Sequence, residues 1–160
     1  MKVRTDFVTN SSSSSFILGF TSEDSIKHEL FDGFPEWALD RIETVLSDVL
    51  SAERITKDDV LKEIEEYLEW HEAYCIAFNL QREMQGFDKA IEYLETPEGK
   101  RRVEEQIKKK IEEYKKKIEG KDIFVEVEYS DNGINCGGVH GLEFDIMPKV
   151  KSVITVFNNH

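Results

Sequence analysis

The sequence of 160 residues is poor in the residues that secreted and membrane-spanning proteins depend on. Its two cysteines, Cys75 and Cys136, lie far apart and do not form a metal-binding pair. Because small secreted domains usually rely on several disulfides, we expect reduced thiols and a cytoplasmic location. No apolar run approaches the ~20 residues of a transmembrane helix, and the N-terminus lacks the apolar stretch of a secretory signal. We therefore expect a soluble protein that does not contact membranes.

Positive charge is also scarce. The chain has 21 lysine and arginine residues against 33 acidic residues, and its formal net charge is −12. This balance makes nucleic-acid binding unlikely, because phosphate groups require a basic surface. The charge is uneven along the chain, however. Residues 23–72 contain sixteen acidic and five basic residues, whereas residues 98–121 contain ten basic and six acidic residues.

Residues 21–120 have a mainly helical pattern, with apolar residues recurring every three or four positions. Hydroxyl and proline residues before these patterns indicate helix starts. The clearest pattern predicts a long helix over about 97–119, and Gly120 follows it as expected of a glycine at a helix end. Residues 73–84 fit both a strand and a helix, and we favour a helix because helical patterns flank them on both sides.

Strand patterns lie at the two ends of the chain. Residues 1–20 contain two short strand-like runs around a serine-rich segment, and residues 121–160 alternate as expected of a β meander. The predicted strands cover residues 3–8, 16–20, 123–130, 142–146 and 153–157. Runs of helices and strands that do not alternate predict an α+β fold. We expect one domain over residues 1–160, with a small antiparallel sheet from both ends and helices packed on it.

The glycine-rich stretch over residues 135–141 contains the candidate catalytic residues of this sequence. Cys136 and His140 are close enough in sequence to meet across this loop, and a cysteine beside a histidine can act as a thiolate nucleophile. Asp131 or Asn135 could orient the histidine. The alternative is a plain glycine-rich connection between two strands, which we favour.

A second pair of residues has the spacing of metal ligands. On a helix, His71 and Cys75 lie one turn apart and could share a metal ion. No third ligand is evident, so we favour a histidine on the helix face beside a buried cysteine. We expect neither a bound metal nor a cofactor.

The long helix carries two lysine clusters that could contact an acidic protein surface or nucleic acid. Glutamates interleave with the lysines at helical spacing, which is also typical of an ordinary solvated helix. The acidic and basic parts of the chain could instead attract each other between two copies. The candidate interaction residues are Lys108, Lys109, Lys110, Lys115, Lys116 and Lys117.

The serine run at Ser11–Ser15 lacks the glycines and the lysine of a phosphate-binding loop. We interpret it as a partly mobile connection between two strands. The surrounding string DFVTNSSSSSF, within residues 4–17, resembles an N-terminal segment found on many bacterial and phage-associated proteins of unknown function. The resemblance implies a microbial protein whose N-terminus is a shared recognition or structural tag, and it implies no catalytic or binding residues.

These observations describe a small acidic protein, and the function that we favour for it is non-enzymatic. We predict a module that binds a protein partner or associates with itself. The alternatives are an enzyme that uses Cys136 and His140, and nucleic-acid binding through the lysine-rich helix.

Overall fold

The computed structural model describes residues 13–130 and 141–158, and its fold is α+β. Helices fill the middle of the chain and strands lie near both ends, which confirms the predicted fold class. The chain divides into two compact units. One combines the residues up to Ile55 with those from Lys121 onward, and the other spans Thr56–Gly120. The expectation of one domain over residues 1–160 stays a prediction.

The first unit contains an antiparallel sheet, with four strands in the described residues: β1 (Ser13–Phe20), β2 (Arg54–Ile55), β3 (Ile123–Ser130) and β4 (Val153–Asn158). Their order in the sheet is β2-β3-β1-β4. Two helices follow β1 in the chain, each after a short 3-10 turn: α1 (Ile26–Phe31) and α2 (Leu39–Ser51). Strands from both ends of the chain therefore share one sheet, as predicted.

The predicted C-terminal β meander is wrong, because β1 lies between β3 and β4. Phe16 of β1 is opposite Val127 of β3 on one side and Val156 of β4 on the other. The residues from Phe16 to Phe20 are buried at every position, as expected of a central strand that is covered on both faces. A continuous apolar run, rather than an alternating one, is the sequence signal of such a strand.

The strand predicted over residues 142–146 is also wrong. The chain forms a π-helical turn at Gly141–Ile146 and a 3-10 turn at Met147–Lys149. Ile146 and Met147 are both fully buried in the same apolar core. Consecutive side chains of a strand point to opposite faces, so a strand could not place both residues in one core.

The second half of the serine run belongs to the sheet. Ser13–Ser15 are the first residues of β1 and lie opposite Ser130, Tyr129 and Glu128 of β3. Ser14 and Ser15 are buried. The interpretation of the run as a partly mobile connection is therefore wrong for these three residues, whose backbone is hydrogen-bonded in the ladder. Ser11 and Ser12, like the predicted strand at residues 3–8, lie outside the described residues.

The core of the first unit lies between one face of the sheet and its two helices. Phe16, Leu18 and Phe20 of β1 pack in one buried cluster with α2, which contributes Ile42, Val45 and Val49. The hydroxyl group of Tyr129 on β3 donates a hydrogen bond to Asp48 Oδ2 of α2 at 3.1 Å. This bond fixes the helix against the sheet at the edge of the core.

The second unit consists of three helices: α3 (Lys57–Leu80), α4 (Phe87–Leu94) and α5 (Pro97–Ile118). Thr56 and Asp59 form a capping box at the start of α3, each side chain accepting a hydrogen bond from the backbone of the other at 3.1 Å. Thr96 Oγ1 likewise accepts from the backbone of Gly99 at the start of α5. Gly120 follows α5 with φ +73°, as predicted for a glycine at a helix end.

The ambiguous residues 73–84 are helical as far as Leu80, where α3 ends, and residues 81–84 form a turn, so the predicted helix is confirmed for residues 73–80. Two stripes of apolar residues on this helix, one exposed and one buried, produce the alternating sequence pattern of a strand. Tyr74 and Phe78 are exposed, whereas Ile76 and Leu80 are buried. Residues two apart on a helix are about 200° apart around its axis, so two stripes of one-turn spacing read as alternation in the sequence.

Candidate functional site

The predicted nucleophilic pair, Cys136 and His140, lies outside the described residues. Asp131 and Asn135, which could orient the histidine, lie there too. The catalytic role of the pair therefore stays a prediction.

His71 and Cys75 are neighbours on α3, as the spacing predicted. The sulfur of Cys75 lies 3.7 Å from both ring nitrogens of His71, so it packs against the imidazole ring instead of pointing at one lone pair. Burial raises the pKa of the Cys75 thiol, and the charge of Glu72 raises it further, while Lys110 partly offsets the change. Within residues 13–130 and 141–158, no three histidine, cysteine or acidic side chains are grouped closely enough to hold a metal ion.

Glu72 is a buried carboxylate that the sequence reasoning missed. Its Oε1 atom lies 2.5 Å from Lys110 Nζ of α5 and 3.3 Å from His71 Nδ1. Although partial burial favours the neutral amine, the hydrogen bond and the charge of Glu72 raise the pKa of Lys110. The sequence did contain a pattern that indicates burial of Glu72. This residue continues an apolar series with one residue at every fourth position, namely Val60, Ile64, Leu68, Ile76 and Leu80.

The predicted lysine clusters lie on α5, and several members already have partners within the second unit. Lys110 pairs with Glu72, Lys115 Nζ lies 2.7 Å from Glu112 Oε1, and Lys117 lies over the ring of Tyr114 at 4.9 Å. The other three predicted interaction residues, Lys108, Lys109 and Lys116, are exposed. Exposed glutamates separate the clusters, so the surface of α5 carries both signs of charge.

Three exposed aromatic side chains form a ladder on α3 that the sequence reasoning did not single out. Trp70, Tyr74 and Phe78 are 45%, 47% and 55% exposed, and we call them the aromatic face. The ring centroids of Trp70 and Tyr74 are 5.9 Å apart with 17° between the ring planes. Those of Tyr74 and Phe78 are 6.4 Å apart with 20° between the planes. The sequence signal was their spacing of one residue every fourth position.

The first helix turn of α4 extends this apolar surface. Phe87 is half-buried, and its ring meets that of Tyr74 at a centroid distance of 5.6 Å and an angle of 57°. Tyr74 therefore has ring contacts with Trp70, Phe78 and Phe87, which restrict its rotamers. Large exposed aromatic side chains in an ordered patch are the usual anchors of protein–protein interfaces.

The aromatic face lies in acidic surroundings. From Lys57 to Leu94, the chain has ten acidic and four basic residues. Glu66 lies one turn before Trp70 on the same side of α3, and Glu69 directly precedes it. Both glutamates are exposed. Acidic residues therefore outnumber basic ones around the aromatic face, although Arg82 and Lys89 are exposed there too.

Comparisons with known proteins give no further constraint, because no family model, curated protein or solved structure matches this chain. None of the described helices is long and apolar enough to cross a membrane.

Proposed function

We propose that this chain is a non-enzymatic protein-interaction module, and that the aromatic face of α3 is its contact surface. The observation that carries the proposal is the ladder of Trp70, Tyr74 and Phe78, which exposes three large rings at one-turn spacing. A helix that only faces water does not require large aromatic side chains at these positions. Association would bury the three rings and so remove apolar area from water, which is favourable.

The state of the other candidate groups also supports a binding role. The thiol of Cys75 has a raised pKa, which keeps it protonated and poorly nucleophilic near neutral pH. Glu72 contacts both His71 and Lys110, which is typical of a structural network. We further propose a cytoplasmic location and a bacterial or phage origin, on the cysteine usage and the N-terminal resemblance.

The test compares the wild type with a double variant, Tyr74→Ser and Phe78→Ser. We expect the wild type either to form a dimer at rising concentration in sedimentation experiments or to recover a specific protein from an extract of its natural host cells. The double variant should lose that association while keeping its helical circular dichroism, because both side chains are largely exposed.

Leu50→Ser is the matched control, since it removes an exposed apolar side chain from α2 in the first unit. It should leave the association unchanged. A wild type that is monomeric at low and at high salt, with no recovered protein that depends on Tyr74 and Phe78, would contradict the proposal.

A further inference from the structure

The dimensions of the aromatic face suit a helical ligand. Trp70 and Phe78 are eight residues apart on α3, which corresponds to about 12 Å along the helix axis. This length matches two turns of a second helix that lies along the face. An amphipathic helix presents apolar side chains at the same three- and four-residue spacing, so its apolar stripe can meet all three rings.

The charges around the aromatic face favour a partner with positive charge. Helix α3 carries seven acidic and two basic residues, and Glu66 and Glu69 flank the aromatic face at its N-terminal end. Helix α4, which supplies Phe87 to the same surface, exposes two acidic residues, Asp88 and Glu92, against one basic residue, Lys89. Lysine or arginine residues beside the apolar stripe of a partner would be attracted to these carboxylates, and they could also stack on Trp70.

The same charges disfavour a second copy of α3, nucleic acid and anionic lipid as occupants, and the lack of an apolar stripe disfavours α5 of a second copy. A second copy of α3 would bring together two helices that each carry a net charge of −5. Nucleic acid and anionic lipid would place negative charge beside Glu66 and Glu69. Helix α5 of a second copy is net basic, but its exposed positions other than Pro97 and Gln106 are charged and offer no apolar stripe to the three rings.

We infer that the aromatic face binds a basic amphipathic helical segment of a partner protein. Apolar residues of the segment pack on Trp70, Tyr74 and Phe78, and its flanking lysine or arginine residues pair with Glu66 and Glu69. This inference rests on the proposed interaction function and adds the chemistry of the partner.

The test uses two synthetic peptides of about 18 residues, long enough for roughly five helical turns. Both have the same leucine stripe; one carries lysine at all polar positions and the other glutamate. The protein carries Trp37→Phe, which leaves Trp70 as its sole tryptophan. We expect the lysine peptide to shift the Trp70 emission to shorter wavelength with saturable binding, and the glutamate peptide to have no effect.

Calorimetric titrations of the variants then locate the binding site. Tyr74→Ser with Phe78→Ser should weaken binding of the lysine peptide by at least about tenfold, as truncation of central aromatic anchors does. Glu66→Gln with Glu69→Gln should weaken it by several-fold and reduce its salt dependence. The controls Leu50→Ser and Glu43→Gln, both in α2 of the first unit, should leave the affinity unchanged.

Four outcomes would overturn the inference. Equal binding of both peptides would remove the charge preference, and no binding of either would remove the helical ligand. Binding that does not depend on Tyr74 and Phe78 would place the peptide elsewhere. A dimer of the wild type that is lost in the double variant would make a second copy the occupant. In the last case the protein still associates through the aromatic face. Failure of the basic helical ligand is therefore distinguishable from failure of the proposed interaction function.

Discussion

Glu72 of α3 and Lys110 of α5 form an ion pair in which the carboxylate is buried and the ammonium group is partly exposed, with 2.5 Å between Oε1 and Nζ. Because the exposures differ, the two partners respond differently to substitution. Lysine can turn toward water when its partner is lost, whereas the carboxylate cannot leave the helix interface. The pair is therefore asymmetric in its effect on stability.

We expect Lys110→Met to lower the free energy of unfolding by about 2 kcal/mol, because it leaves the buried carboxylate with His71 as its neighbour. Glu72→Gln should cost about 1 kcal/mol, because the amide keeps a hydrogen-bond acceptor for the lysine. Urea denaturation measures both values. Lys108→Met, on the exposed side of α5, is the control and should change stability by less than about 0.5 kcal/mol. Equal costs for the two substitutions would contradict this asymmetry.

Among the glycines with positive φ in the described residues, Gly33 should be the least tolerant of substitution. Its φ is +90°, and a Cβ atom there would lie 1.8 Å from the carbonyl oxygen of Lys149. We expect Gly33→Ala to destabilise the protein by about 3 kcal/mol or more, since the contact is with backbone. Gly120 has φ +73° but open space around the added atom. Gly120→Ala should therefore cost only about 1 kcal/mol, and thermal unfolding of the two variants compares them directly.

Glu29 should contribute to stability in a pH-dependent way. Partial burial opposes ionisation, but hydrogen bonds from Ser25 and Thr21 and the charge of Lys121 outweigh it and lower the pKa of Glu29 below 4.5. A carboxyl group whose pKa is lower in the folded than in the unfolded state stabilises the folded protein above pH 4.5. This contribution is lost as the pH falls through the pKa of the folded state.

The stability difference between the wild type and Glu29→Gln should therefore be larger at about pH 7 than at about pH 3. Urea denaturation at both values measures it. Asp24→Asn, at an exposed position of the same segment, provides the comparison. A difference that stays constant between the two pH values would show that the ionised form of Glu29 has no preferred partners.

The thiol of Cys75 should react slowly. Burial, and after it the charge of Glu72, raise the pKa of this thiol, so it carries less thiolate near neutral pH than a model thiol. With Cys136→Ser, Cys75 is the only cysteine, and its rate with an uncharged alkylating reagent should be below that of free cysteine. The complementary variant Cys75→Ser isolates Cys136. A fast reaction there would favour the enzymatic alternative that uses Cys136 and His140.

The aromatic face and Glu72 were both visible in the sequence, yet the pattern alone did not identify them. Tyr74 and Phe78 were part of a segment that alternated like a strand, because the buried stripe of Ile76 and Leu80 lies two residues out of phase on the same helix. Glu72 continued an apolar stripe, but its burial depends on Lys110, which is 38 residues further along the chain. A partner at such a distance leaves no local periodicity.

The sequence by itself determined the α+β class, the placement of helices between terminal strands, and the ends of the long helices. Capping residues such as Thr56 and Thr96 act within a few positions, so their effect is readable locally. Tertiary structure decided that β1 lies between β3 and β4, and that residues 141–146 form a helical turn. Strand order and the burial of Ile146 beside Met147 depend on which distant surfaces remove apolar side chains from water, and local sequence periodicity does not encode that choice.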